Sequence, residues 1–134
     1  MKKLLLLLFS VFIALSCTKQ NPTPDGPSDI RIKNITASDF TDVFVDIGDG
    51  ENEGEYSYGD LANHSETEYH RFEIAYPKAL ISLKIGDVTY STATPDHTYS
   101  VPLQQGKFTY EVWVSTGTTL EMRVIADAPL DDLK

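Results

Sequence analysis

"FTYEVWVSTGTTLEMRV", residues 108–124, decides the fold class. Phe108, Tyr110, Val112 and Val114 alternate with Thr109, Glu111 and Trp113; Leu120, Met122 and Val124 alternate with Glu121 and Arg123. A period of two sends successive side chains to opposite faces of a strand. Between the runs, Ser115-Thr116-Gly117-Thr118 has the composition of a hairpin loop. The stretch predicts two strands, each half-buried and joined antiparallel.

The same period recurs toward the N-terminus. Ile30, Ile32 and Asn34 alternate with Arg31 and Lys33, and Val43, Val45 and Ile47 with Phe44 and Asp46. Ile81, Leu83 and Ile85 alternate with Ser82 and Lys84, and Gly86-Asp87 then predicts a two-residue hairpin into Val88. Shorter strands are expected around Tyr56–Leu61, Glu68–Glu73 and Val88–Thr92. The best helical candidate, Phe72 to Leu80, is interrupted by Pro77. Seven or eight short strands at hairpin spacing predict an all-β fold, a single antiparallel two-sheet β-sandwich of Ig-like or transthyretin-like kind. The alternation does not reveal the strand order.

The start of the chain reads differently. Lys2 and Lys3 precede an apolar run from Leu4 to Leu15 broken only by Ser10, the pattern of a secretory leader. A spanning helix needs about 20 apolar residues, so this run is too short to be one. Ala14-Leu15-Ser16-Cys17 resembles a lipobox, with Ala14 where the pattern usually has Leu. Cys17 is the only cysteine in the chain, so no internal disulfide is possible. Its position directly after the leader predicts lipidation of Cys17; the alternative is an ordinary leader cut near Ser16. Several acyl chains on one sulfur anchor firmly, since each buried CH₂ contributes about 0.8 kcal/mol. The expected organisation is a leader over 1–16, lipidated Cys17 with a Pro-rich tether over 17–28, the β-sandwich over 29–126, and an acidic tail over 127–134 that should fray.

Loss of Lys2 and Lys3 with the leader takes the formal charge from −9 to −11. Nucleic acid is a poor partner for such a surface, and so is an anionic bilayer. The membrane is therefore expected as a partner through the lipid alone.

With the leader-Cys17 start, "RIKNITASDFTDVFVDI", "YGDL", "SETEYHRFEIAY", "LKIGDVTY" and "GKFTYEVWV", the chain resembles the small envelope lipoproteins of gut Gram-negative bacteria over nearly its full length. The resemblance implies the fold and a lipid-anchored place in the cell envelope. It implies no activity. The absence of Asp directly after Cys17 is compatible, by that resemblance, with the outer membrane, on either face.

Three groups of residues are candidates for chemistry. Asp49, Glu51, Glu53 and Asp60 fall at positions 1, 3, 5 and 12 of a degraded calcium loop, with Gly54 at position 6. Trp113 opposes the apolar face of its strand and, with Tyr56 and Tyr58, would stack on a sugar ring or anchor a protein. The histidines His64, His70 and His97 show no metal-ligand spacing. There is no G-x-S-x-G elbow, S-x-x-K or phosphate-binding Gly loop. The expected function is a non-enzymatic lipoprotein that binds or scaffolds another envelope protein. The alternatives are a module for a glycan or small ligand, and a calcium-stabilised module.

Overall fold

The computed structural model describes residues 26–47, 54–98 and 100–129. Eight strands form: β1 (Ser28–Asn34), β2 (Phe40–Asp46), β3 (Glu55–Leu61), β4 (His70–Phe72), β5 (Leu80–Ile85), β6 (Val88–Ser91), β7 (Gly106–Val114) and β8 (Leu120–Ala128). They make two four-stranded sheets, β4-β1-β7-β8 and β3-β2-β5-β6. The fold is an all-β two-sheet sandwich. Among the described residues no helix is long and apolar enough to cross a membrane.

The alternation sets the inner face as the sequence predicts, but β7 is not half-buried: Thr109 and Glu111 on its outer face are buried too, covered by Asp127 and Arg31 and by Arg123. Ile30, Ile32, Val43, Val45, Ile81, Leu83, Tyr110, Val112 and Leu120 all point into one core between the sheets. The β5–β6 hairpin closes with Ile85 opposite Val88, and Gly86 at φ +60° supplies the left-handed residue a two-residue turn requires. The β7–β8 hairpin pairs Trp113 with Glu121 and Val114 with Leu120.

Pairing departs from the expectation in one place. β1 lies parallel to β7 over the whole strand, from Ser28 opposite Gly106 to Asn34 opposite Val112. Short connections enforce antiparallel neighbours only between strands adjacent in sequence, and these two are not. A second irregularity is the bulge in β2, where Asp42 sits at φ +52° and shifts the register toward both β3 and β5.

Both domain boundaries move outward. Gly26 to Ser28, assigned to the tether by composition, belong to the fold. The Gly26 N–H donates to the Leu103 carbonyl (3.1 Å), and Ser28 is buried with its hydroxyl donating to the Gln104 carbonyl (3.2 Å). Gly26 also has a positional requirement. Its φ is +50°, and an added Cβ would lie 1.8 Å from the Glu73 carbonyl oxygen. Gly26→Ala is therefore expected to lower stability by about 1–3 kcal/mol, read as a shift in the urea midpoint. An unchanged midpoint would show that this end of the chain is not docked.

At the other end β8 continues to Ala128, so Asp127 is not part of a frayed tail. Its carboxylate accepts hydrogen bonds from the Tyr69 hydroxyl (2.8 Å) and the Thr109 hydroxyl (2.5 Å). The Arg31 guanidinium lies 3.7 Å away. An acidic residue reads as tail when its partners are far off in sequence, and these are.

Candidate functional site

β3 and β4 each end their sheet and lie on the same side of the sandwich. Residues 62–69 pass from one to the other. Asn34 holds this connection in place. Its side-chain amide donates to the Ser38 (2.7 Å), Leu61 (3.4 Å) and Ala62 (3.3 Å) carbonyls, while its oxygen accepts from the Thr36 N–H (2.9 Å). Further along, the Thr67 N–H donates to the Ile32 carbonyl (2.9 Å), and the Ile32 N–H donates to the Thr67 hydroxyl (3.0 Å).

Aromatic rings fill the side so closed. Tyr56 on β3 stacks on His70 of β4, with centroids 3.6 Å apart and planes 12° from parallel. Tyr58 meets Tyr56 edge-on at 4.8 Å, and Phe72 meets His70 edge-on at 4.9 Å. The Tyr58 hydroxyl reaches across the sandwich and donates to the Ile30 carbonyl (2.7 Å). Burial pushes the Tyr58 phenol far up, with the neighbouring Tyr110 and Tyr56 adding to the shift, so it stays protonated. Desolvation holds the His70 imidazole below its usual range, against the opposing pull of Asp29.

Between β3 and the 62–69 segment runs a groove of 450 Å³. It is lined by Tyr56, Tyr58 and Tyr69 with the carboxylates Asp60, Glu66 and Glu68, and the Arg31 guanidinium (4.8 Å) and Lys107 ammonium (5.5 Å) lie over the Tyr69 ring. Glu66 pairs with Arg31 (3.0 Å), and Asp60 accepts a hydrogen bond from the Asp42 N–H (3.3 Å). A second recess of 320 Å³ lies beside it, lined by Glu55, His70, Arg71, Phe72 and Glu73. One ring of the Tyr56–His70 stack lines each. The opposite side of the sandwich carries a larger cleft of 490 Å³ between the start of β8 and residues 92–96 with Ser100. No aromatic ring is among the described residues that line it, and its charges, Lys78 against Asp96 and Glu121, are mixed.

The structure brings together two of the three aromatic candidates. Tyr56 and Tyr58 share the groove; Trp113 does not join them. It lies half-buried on the outer face of the other sheet, opposite Glu121, with the Arg123 guanidinium 5.9 Å from its ring centre. Arg123 in turn pairs with the buried carboxylate of Glu111 (2.8 Å). Of the calcium-loop residues, Asp49, Glu51 and Glu53 lie outside the described residues, as does Cys17. Asp60 is on β3. Among the described residues no three His, Cys, Asp or Glu side chains converge as a metal site.

Sequence reasoning missed the groove residues Glu66, Glu68 and Tyr69, and His70 of the adjoining recess, which backs Tyr56. The period-two pattern marks Tyr56 and Tyr58 as one face, but the ring that stacks on Tyr56 comes from a strand of the other sheet. No local signal connects them.

The His70 shift has a consequence for stability. A histidine whose folded pKa lies below its unfolded value of 6.5 binds its proton more readily when unfolded. Stability is therefore complete above that value and declines as pH falls through 6.5 toward the lowered pKa. His70→Phe keeps a ring against Tyr56 and should flatten this part of the melting-temperature profile. A parallel decline in both proteins would assign the acid sensitivity to carboxylates instead.

The fold and site define a β-sandwich protein with an aromatic, acidic groove on one side. No family model matches the sequence, and no curated protein matches it. Among solved structures, the NMR structure of a protein from Eubacterium rectale is similar at 14% identity, covering 85% of this chain and 100% of its own, with a TM-score of 0.48.

Proposed function

We propose that this chain is a lipid-anchored, non-enzymatic protein of the cell envelope, held at the outer membrane through Cys17, whose sandwich docks an extended segment of a partner protein along the β3 side. The observation that carries the docking surface is the groove itself: three phenols and three carboxylates beside a seven-residue strand that ends its sheet. A terminal strand offers backbone donors and acceptors to an added strand. Tyrosines supply contact area at low entropic cost, and a carboxylate rim draws lysine and arginine side chains toward it. The anchor is supported by the leader, the lipobox-like Ala14-Leu15-Ser16-Cys17 and the absence of any second cysteine.

A photo-crosslinking side chain at the exposed Ser57 of β3, compared with one at Thr118 in the β7–β8 hairpin, tests the docking surface in intact envelopes. Adducts are expected from position 57 and not from 118. They should fall about tenfold when Asp60→Lys and Glu68→Lys reverse the rim charge. Equal adducts from both positions, or adducts indifferent to the charge reversal, would remove the docking role.

A glycan is the second reading, favoured by the same three tyrosines flanked by carboxylates that accept hydroxyl hydrogen bonds. Titration with soluble oligosaccharides, followed by NMR at Tyr56, Tyr58 and Tyr69, separates the two. Shifts confined to those rings would replace the peptide with a sugar.

A further inference from the structure

We infer that the end of the sandwich where the tether joins is a membrane-contact surface, with Ile74 and Val101 seated at the headgroup–acyl boundary of the bilayer that holds Cys17; this rests on the lipid-anchor reading. Four large hydrophobic residues are exposed among the described residues: Ile74 (48%), Val88 (47%), Val101 (76%) and Ile125 (40%). Two of the four lie on segments that meet at this end of the sandwich. The Leu103 N–H donates to the Ala75 carbonyl (2.8 Å), and the Gly26 N–H donates to the Leu103 carbonyl (3.1 Å). A Cβ on Gly26 would lie 3.4 Å from the Ile74 Cα. Gly26, residues 73–75 and Leu103 are thus bound together, with exposed Ile74 one residue and exposed Val101 two residues from the Ala75–Leu103 hydrogen bond. Val88 is exposed at the far end of the other sheet, beside the β5–β6 turn, and Ile125 lies on β8 opposite Thr109.

The far end of the same sheet has the opposite character. β1 and β7 run parallel away from Ser28 and Gly106. The hairpin tip beyond Val114 is Ser115-Thr116-Gly117-Thr118-Thr119, with no aliphatic side chain larger than a threonine methyl. It lies about 27 Å from Gly106, at roughly 3.3 Å per strand residue. Apolar exposure therefore concentrates at the tether end of this sheet.

Eight residues separate Cys17 from Gly26. Nine Cα steps reach at most about 30 Å, so the tether end can never be far from the bilayer. Two aliphatic side chains bind a membrane weakly by themselves. A short tether makes that contact intramolecular, with an effective concentration of order millimolar, which is enough to populate a weak contact. The mature charge of −11 disfavours an anionic surface, so the fitting partner is a bilayer of zwitterionic headgroups.

The test uses the acylated full chain in phosphatidylcholine vesicles. With the Cys17 sulfur already blocked by lipid, Ile74→Cys, Val101→Cys and Thr116→Cys each provide one site for an environment-sensitive fluorophore. Emission at 74 and 101 should shift to the blue and be quenched several-fold more by nitroxide-bearing acyl chains than emission at 116. Equal quenching at all three sites in chain that floats with the vesicles would overturn the proposal and leave the anchor intact. A blue shift at 74 and 101 in an unacylated Cys17→Ser chain without vesicles would give the patch to a second copy, and also overturn it. Chain that does not float, with an unmodified Cys17 by mass, would remove the anchor and the proposal together.

Discussion

Replacing Tyr110 by alanine is expected to cost about 3–5 kcal/mol, the range for removing a buried aromatic ring. Tyr110 is the largest fully buried side chain among the described residues, and it stands on β7 at the centre of the core. Its hydroxyl donates to the Tyr76 carbonyl, which ties β7 to the connection between β4 and β5. Alanine would leave a cavity and an unpaired carbonyl. Burial pushes the phenol well above its usual pKa, so the group is a neutral donor throughout the working pH range. Tyr110→Phe separates the two contributions: it keeps the ring and loses only the hydrogen bond, for about 1–2 kcal/mol. Urea denaturation measures both. A loss below 1 kcal/mol for the alanine variant would mean that the two sheets are not packed on this residue.

Asn34→Leu should cost about as much, 3–5 kcal/mol, for a different reason. Asn34 is fully buried, and it binds the Ser38, Leu61 and Ala62 carbonyls and the Thr36 N–H and hydroxyl, which ties the 35–39 corner to the end of β3. The Ser38 and Ala62 carbonyls also accept from the Thr36 hydroxyl and the Ser65 N–H. Leucine fills the volume and replaces none of these bonds; the loss falls hardest on the Leu61 carbonyl and the Thr36 N–H, since a buried polar group left unmade costs about 1–3 kcal/mol. Asn34→Asp is the sharper probe, because its shape is nearly the same. A carboxylate facing three carbonyl oxygens is repelled by all of them. The damage should shrink as pH falls and the acid protonates, which is opposite in sign to the acid destabilisation expected from His70. A loss of this size lowers the melting temperature by of order 15–30 °C in a domain of this length. Because Asn34 also fixes residues 61–62, the aromatic groove should loosen with it. Tyr56 and His70 ring signals that remain sharp and shifted in a folded Asn34 variant would show the groove to be independent of the corner.

The candidate site was only half legible from the chain. Tyr56 and Tyr58 are two residues apart, so alternation alone places them on one face. Asp60 follows on the same strand. Tyr69, His70, Glu66 and Glu68 reach them only because β3 and β4 end their sheets on the same side, and that is a property of strand order. Trp113 illustrates the converse. Its face was predicted from its neighbours, but what stands over that face, Arg123, depends on the pairing of β7 with β8.

What the sequence determined by itself is the set of strands, the face each turns to the core and the hairpins at Gly86-Asp87 and residues 115–119, because alternation and turn chemistry act over a few residues; that β7 is covered on its outer face as well came from the tertiary structure. Only the tertiary structure decided that β1 runs parallel to β7, that Gly26 and Asp127 belong to the fold, and that a tyrosine of one sheet stacks on a histidine of the other. An alternating strand presents the same apolar face to any neighbour. Which neighbour it takes is set by the summed packing of distant segments, and closing long loops to bring them together costs little more than closing short ones.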